Sequence, residues 1–183
     1  MGLVIGILII VALIGYFVTI YNGLIKLKNN IKKAWANIDV LLKQRSDELP
    51  KLVDTVKGYM KHEKELLENV TKARTNFLNA SSVAETAAAD NMISGALKSL
   101  FAVAENYPEL KANENFMQLQ SRISGIENEI ADRREFYNDS VNQYNIRIQS
   151  IPDVIVAKML SYTDEEMFEV SEADKQDVKI SFD

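Results

Sequence analysis

The sequence contains no cysteine and only one histidine among its 183 residues, which narrows the chemistry open to it. Without cysteine there is no disulfide, no thiol nucleophile and no thiolate metal ligand. His62-Glu63 begins the zinc-protease motif, but Leu66 stands where that motif needs its second histidine. A di-iron helical bundle also needs a histidine from each of two helices. We therefore expect no metal and no cofactor, and we expect His62 to lie at the surface.

Glycine and proline are scarce too, with seven and three residues respectively. Few breaks, together with abundant alanine, leucine, glutamate and lysine, indicate an all-α fold. The sequence has neither a glycine-rich phosphate loop nor a Gly-x-Ser-x-Gly nucleophile elbow. These absences predict that the protein is not an enzyme.

Charged side chains are absent from Gly2 to Tyr21. A helix of this length reaches about 30 Å, which is the thickness of the hydrocarbon core of a bilayer. We predict a membrane anchor over residues 1–23. Apolar side chains that would face lipid are spread along this segment, namely Leu3, Ile9, Leu13 and Phe17.

Three other interpretations of this segment fit less well. A cleaved signal peptide would have a basic start and a small-residue cleavage site, and the run has neither. Myristoylation of Gly2 would favour Ser or Thr at position 6, which is Gly6. A buried core helix rarely has so long an apolar run at a chain terminus.

Four lysines follow the apolar run and form a basic collar, namely Lys26, Lys28, Lys32 and Lys33. The positive-inside rule then predicts a single-pass protein with its N-terminus outside and the rest in the cytosol. The collar is either a stop-transfer signal alone or also a site for anionic lipid headgroups. Residues 22–45 have a net charge of +5 and the remainder −10, so nucleic acid is a poor partner for the acidic body.

Beyond the anchor we predict a long antiparallel bundle of four to five helices over residues 24–162. A heptad seam, with apolar side chains three and four residues apart, starts at the exit of the anchor. Its members are Leu24, Leu27, Ile31, Ala34, Ile38, Leu41 and Arg45. Because no strong breaker follows Gly23, the anchor and the first bundle helix should form one continuous rod.

Breaks in the pattern divide the bundle further. Residues 45–50, which end in Pro50, predict the end of the first helix and the start of a second. The Ala/Ser/Thr-rich residues 79–91 predict a turn with a weak helical start. Further helices are expected over residues 92–105, 112–149 and 152–162.

Some charged side chains occupy seam positions, where lone ions are costly. They are Glu63, Arg74, Glu127 and Arg134. We predict cross-helix carboxylate–guanidinium pairs that fix the register of the helices; the alternative is that these groups lie at the seam edge and reach water. Asn138 and Asn145, seven residues apart, predict amide contacts to a neighbouring helix.

Residues 163–183 form an acidic tail, which we expect to be partly disordered or to contain a short strand. Its last residues, 178–182, alternate between apolar and polar side chains. Such a strand could pair with a neighbouring copy or with another partner.

The chain also resembles a known family through a series of short motifs that occur in order. They are Tyr21-Asn22, Ala34-Trp35, Ile38-Asp39-Val40, Leu49-Pro50-Lys51-Leu52-Val53, Val56-Lys57-Gly58-Tyr59, His62-Glu63, Ala73-Arg74, Tyr107-Pro108-Glu109-Leu110-Lys111-Ala112, Glu127, Arg133-Arg134, Tyr137-Asn138, Tyr144-Asn145 and Pro152. In these motifs the sequence resembles the LemA family of bacterial and archaeal membrane proteins. The resemblance implies a transmembrane helix that continues into a helical bundle, and it implies no reaction. The chain departs from the family pattern at Ser161-Tyr162, where Gly-Phe is usual.

Two classes of function remain open. The first is a non-catalytic helical scaffold, anchored in the lipid bilayer, that self-associates into homo-oligomers or larger assemblies. The second is a membrane-tethered sensor or adaptor that recruits an unidentified cytosolic protein. Detection of large homomers would favour the first class, and a monomer that captures another protein would favour the second.

Overall fold

A computed structural model describes residues 1–169, which fold into α-helices without a strand in that range. The helices are α1 (Gly2–Lys57), α2 (Lys64–Asn79), α3 (Val83–Ala104), α4 (Pro108–Lys111), α5 (Glu114–Gln149) and α6 (Asp153–Met159). The all-α fold is as predicted, and α4 is only a single turn. The predicted strand at residues 178–182 lies outside the described residues.

The chain divides into two compact units, and both long helices contribute to each of them. Unit 1 contains Met1–Asn37 and Glu135–Met167. Unit 2 contains Ile38–Arg134 and, of the described residues after α6, Phe168 and Glu169.

In unit 1, α1 and α5 run antiparallel. The rings of Trp35 and Tyr137 are 5.5 Å apart, centre to centre. Further towards the N-terminus, the Arg147 guanidinium lies against Gly23, so close that a β-carbon there would be 2.6 Å from its Nη2 atom. Helix α1 passes through Gly23 without a break, which confirms the predicted continuity of the helix. The seam residue Leu24 is fully buried.

In unit 2, α2 packs against α3, and these helices share a core with the second half of α1 and the first half of α5. Apolar side chains three and four residues apart supply that core, as helical periodicity requires. Its members are Leu49, Leu52, Val56, Met60, Val70, Ala73, Ile93, Leu97, Leu100, Ala104, Leu110, Phe116 and Ile123.

The predicted break at residues 45–50 is wrong, because α1 continues through Pro50 to Lys57. A proline inside a helix lacks the N–H that would bond to the carbonyl four residues earlier. Here that carbonyl belongs to Ser46, and Arg74 Nε of α2 donates to it at 3.1 Å. A contact from another helix therefore satisfies the acceptor that the proline leaves open.

The predicted turn at residues 79–91 is also wrong for most of its length, because α3 begins at Val83. Ser82 caps it: the Ser82 hydroxyl accepts a hydrogen bond from the Glu85 N–H at 3.1 Å. The Glu85 carboxylate in turn accepts one from the Ser81 N–H at 2.8 Å. The alanines that follow are the strongest helix formers, so the stretch is a capped helix start.

Helix α6 ends in a Schellman motif. The Tyr162 N–H donates to the Ala157 carbonyl at 2.9 Å, and the Ser161 N–H donates to the Lys158 carbonyl at 3.1 Å. Ser161 has a φ of 53°, in the left-handed region that favours glycine. The position where the chain departs from the Gly-Phe pattern is thus one where glycine fits better.

Candidate functional site

The N-terminal half of α1 exposes its apolar side chains. Leu3, Ile9, Leu13 and Phe17 are all exposed, and Leu13 retains 63% of its accessible surface. By length and composition, α1 is the one helix within residues 1–169 that could cross a membrane. Burial begins at Ile20, which is 7% exposed.

The lysine collar follows directly, and its members differ in their contacts. Lys26, Lys32 and Lys33 are exposed. Lys28 is half-buried: its Nζ lies 3.5 Å from the Glu165 carboxylate and 4.7 Å from the centre of the Tyr162 ring. One lysine of the collar thus also ties α1 to the segment after α6.

Unit 2 contains a largely buried network of four acidic and basic side chains from three helices. Arg45 of α1 is fully buried, and its guanidinium donates to the Asp90 carboxylate of α3. The other side of the same guanidinium donates to Glu127 of α5 at 2.9 Å. Arg134 of α5 donates to the second oxygen of Asp90 at 2.6 Å. Because these contacts join α1, α3 and α5, they fix the register of all three helices.

A neutral hydroxyl extends this network. The Ser94 hydroxyl accepts from Arg45 Nη1 at 2.9 Å and donates to Glu127 at 2.5 Å. Two guanidinium groups and two carboxylates leave no net charge. Burial raises the pKa of Asp90 above its ordinary value, while the charges of Arg45 and Arg134 act in the opposite direction.

The network reaches solvent at Glu127, whose side chain is 35% exposed. Glu127 lines a groove of about 380 Å³ there, together with Ser94, Lys98, Phe101 and Ser124. Both carboxylates already accept hydrogen bonds from guanidinium groups. This arrangement suits a structural lock between helices.

The four charged seam residues do not all come together. Glu127 and Arg134 belong to the buried network, where Arg45 and Asp90 connect them. Arg74 donates to the Ser46 carbonyl, and Glu63 accepts from the Tyr107 hydroxyl at 3.3 Å. Glu63 thus contacts a phenol and Arg74 a backbone carbonyl.

The predicted contact to a helix is wrong for Asn145, which forms a pair of hydrogen bonds with the backbone of Glu165, a residue after α6 and outside any helix. Its amide nitrogen donates to the Glu165 carbonyl at 2.9 Å, and its oxygen accepts from the Glu165 N–H at 2.9 Å. Tyr137 donates to the Glu166 carbonyl at 2.9 Å. Residues of α5 therefore hold the extended start of the acidic tail in place.

Sequence reasoning missed Asp90, the anion at the centre of the network. The residue fell in the stretch assigned to a turn, which concealed its place on a helix. The available signal was its spacing to Ile93, Leu97 and Leu100, which continues the buried face of α3. The single histidine, His62, is exposed, as expected. Within residues 1–169, no group of three or more His, Asp or Glu side chains is placed to hold a metal ion.

Comparison with known proteins identifies the family of the chain. The sequence profile of the LemA family matches residues 34–182. Protein LemA of Metamycoplasma hominis is 31% identical over 183 aligned positions, which cover 96% of this chain and 82% of that protein. Magnetosome proteins MamQ 1 and MamQ 2 of Paramagnetospirillum magneticum are each 22% identical, over 91% of this chain and 71% of theirs. The chain therefore belongs to the LemA family.

Proposed function

We propose that this protein is a non-catalytic, membrane-anchored helical scaffold that self-associates. The observation that carries the proposal is the uninterrupted course of α1. Its first half exposes apolar side chains, and its seam is buried from Leu24 onward without an intervening loop. A helix that passes directly from lipid into a folded core attaches unit 1 rigidly to the membrane.

The flanks of the apolar run support an orientation with the N-terminus outside and the bundle in the cytosol. The exposed Lys26, Lys32 and Lys33 follow the run directly. The positive-inside rule places such a collar on the cytosolic side. The same lysines suit contact with anionic headgroups at that surface.

The glycines of α1 support self-association through the anchor. Gly2 and Gly6 are four residues apart on one face, and a β-carbon at either position would have nothing within 4 Å. Two glycines at this spacing allow two membrane helices to approach closely. Gly15 has equally open surroundings but lacks a partner glycine four residues away.

These glycines allow a matched test of assembly. The full chain is purified in mild detergent and its mass is measured by light scattering for the wild type, Gly6→Leu and Gly15→Leu. We expect homomers for the wild type and Gly15→Leu, and smaller species for Gly6→Leu. Neither substitution meets a neighbour within the chain, so loss of fold does not confound the comparison.

Other outcomes would contradict parts of the proposal. A monomeric wild type that retains a cytosolic protein would favour an adaptor in place of a scaffold. Homomers of equal mass in all three samples would show that self-association does not use the glycine pair.

A further inference from the structure

We infer that the turn between α5 and α6, together with the outer face of α6, inserts into the membrane interface beside the anchor. The surface consists of Ile151, Ile155 and Met159, which we call the apolar corner. The inference rests on the proposed anchoring of α1 in the bilayer. It adds a second site of lipid contact, from a part of the chain more than 120 residues beyond the anchor.

The register of α1 and α5 gives the depth of the corner. Trp35 lies beside Tyr137, and Gly23 lies beside Arg147, so α5 descends along α1 towards the N-terminus. If the chain after Arg147 continues to descend with the same rise per residue, Ile151 lies at about the level of residue 19 of α1. That level is inside the charge-free run of residues 2–21.

The burial of Ile20 gives independent support. This side chain lies within the charge-free run, yet it is 7% exposed, whereas most of the run before it faces outward. Folded protein therefore covers α1 at a level that the bilayer occupies. The part of the protein found there must itself meet lipid or headgroups.

The side chains of the corner suit that position. Ile151 is 86% exposed, Ile155 61% and Met159 69%, while Val156 and Ala157 of the same helix are buried. The three exposed residues are spaced four apart, so Ile155 and Met159 share one face of α6. An amphipathic helix with such a face lies in the boundary between headgroups and acyl chains.

Helix α6 then rises away from the membrane, which orders the three residues by depth. Tyr162, just after α6, lies over Lys28 Nζ at 4.7 Å, and Lys28 belongs to the collar. Ile151 is therefore deepest, Ile155 is intermediate, and Met159 is closest to the headgroups. Lys158 is exposed near the upper end, where its charge suits an anionic headgroup.

The absence of cysteine makes a direct test possible, because one introduced cysteine carries the only label. An environment-sensitive fluorophore is attached in turn at Ile151→Cys, Ile155→Cys and Met159→Cys. The full chain is placed in phosphatidylcholine–phosphatidylglycerol nanodiscs at one copy per disc. Emission is then compared between ordinary lipids and lipids brominated in the acyl chains.

Two further sites serve as controls. Phe136→Cys carries the label at an exposed apolar site on α5 next to Tyr137, far from the level of the apolar run. Leu13→Cys carries it in the anchor itself. We expect strong quenching at residues 13 and 151, weaker quenching at 155, the least of the corner at 159, and none at 136.

The outcomes separate the inference from the proposed function. Quenching at residue 13 without quenching at 151 and 155 would overturn the inference and leave the anchor intact. No quenching at residue 13 would overturn the anchor. A label at 155 that is blue-shifted but unquenched would show that protein, and not lipid, covers the corner, which also contradicts the inference.

Discussion

Arg45 and Asp90 show how single side chains fix the packing of unit 2. Both are fully buried, and each has a second partner of opposite charge, Glu127 for Arg45 and Arg134 for Asp90. A buried ion pair gives little net stabilisation over apolar residues, but loss of one partner leaves an uncompensated charge. The pair therefore acts chiefly as a constraint on which helices meet and where.

We expect Arg45→Met to lower the free energy of unfolding by about 3–5 kcal/mol. The double variant Arg45→Met/Asp90→Leu should lose less free energy of unfolding than the single variant. Its remaining charged partners, Arg134 and Glu127, lie closer to solvent than the two residues removed. Chemical denaturation in detergent measures both. Lys43→Met, an exposed neighbour on α1, is the control and should change stability by less than about 0.5 kcal/mol. A double variant less stable than the single one would contradict this account.

Ser161 is a residue in a conformation that its side chain disfavours. Its left-handed φ of 53° costs a non-glycine residue about 1–2 kcal/mol. Ser161→Gly should therefore raise the free energy of unfolding, by about 0.5–1 kcal/mol after the entropy of glycine in the unfolded chain is included. Ser121→Gly, on an exposed part of α5, makes the same chemical change but should lower the free energy of unfolding. A loss of stability in Ser161→Gly would be inconsistent with the Schellman motif.

At the scale of elements, α1 keeps its helical course through Pro50 with the help of α2. The Ser46 carbonyl, which the proline leaves without its usual donor, accepts from Arg74 Nε at 3.1 Å. An unsatisfied buried carbonyl costs about 1–3 kcal/mol. The dependence is reciprocal: the proline creates the acceptor that positions Arg74.

A double-mutant cycle tests this dependence. Arg74→Met should cost about 1–3 kcal/mol in the wild type, because it leaves the Ser46 carbonyl open. In a Pro50→Ala background the new N–H can bond to that carbonyl, so the same substitution should cost clearly less. Equal costs in the two backgrounds, measured by denaturant titration, would show that Arg74 does not compensate for the proline.

The extended segment after α6 depends on a phenol that stays neutral in the fold. Burial, and then the charges of Glu165 and Glu166, raise the pKa of Tyr137 to about 12 from its usual 10.0. Between those values the unfolded chain loses the proton while the folded chain keeps it. The folded state then binds more protons, so the free energy of unfolding falls as pH rises from 10 to 12.

In Tyr137→Phe the free energy of unfolding should fall less steeply as pH rises from 10 to 12. The substitution also removes the hydrogen bond to the Glu166 carbonyl, so the stability of the variant at neutral pH should be lower by about 1 kcal/mol. Denaturant titrations at a series of alkaline pH values provide the slope. Identical slopes for Tyr137→Phe and the wild type would contradict the assignment.

Local signals in the sequence predicted part of this architecture correctly. The spacing of Leu24, Ile31 and Ile38 predicted a buried face on one continuous helix, because helical periodicity depends only on neighbouring residues. The course through Pro50 was not predictable in this way, since it depends on Arg74 in another helix. Asp90 was missed for a different reason: its surroundings on the chain look like a turn until α3 is known to begin at Val83.

At the scale of the whole molecule, the proposed attachment to the membrane depends on α1 being a retained anchor. An apolar helix at an N-terminus also fits a signal sequence that is removed after export. The two differ in what remains attached to the bundle. With an anchor, residues 2–21 remain part of the mature protein and hold it in the membrane. With a signal sequence, these residues are removed and the bundle is no longer attached to the membrane.

The most direct test is an intact-mass measurement on protein expressed in bacterial cells and fractionated with alkaline carbonate. If α1 is a retained anchor, we expect the protein to stay in the membrane pellet and its mass to include all of residues 2–21. A protein released by carbonate, with a mass reduced by the N-terminal apolar run, would contradict it.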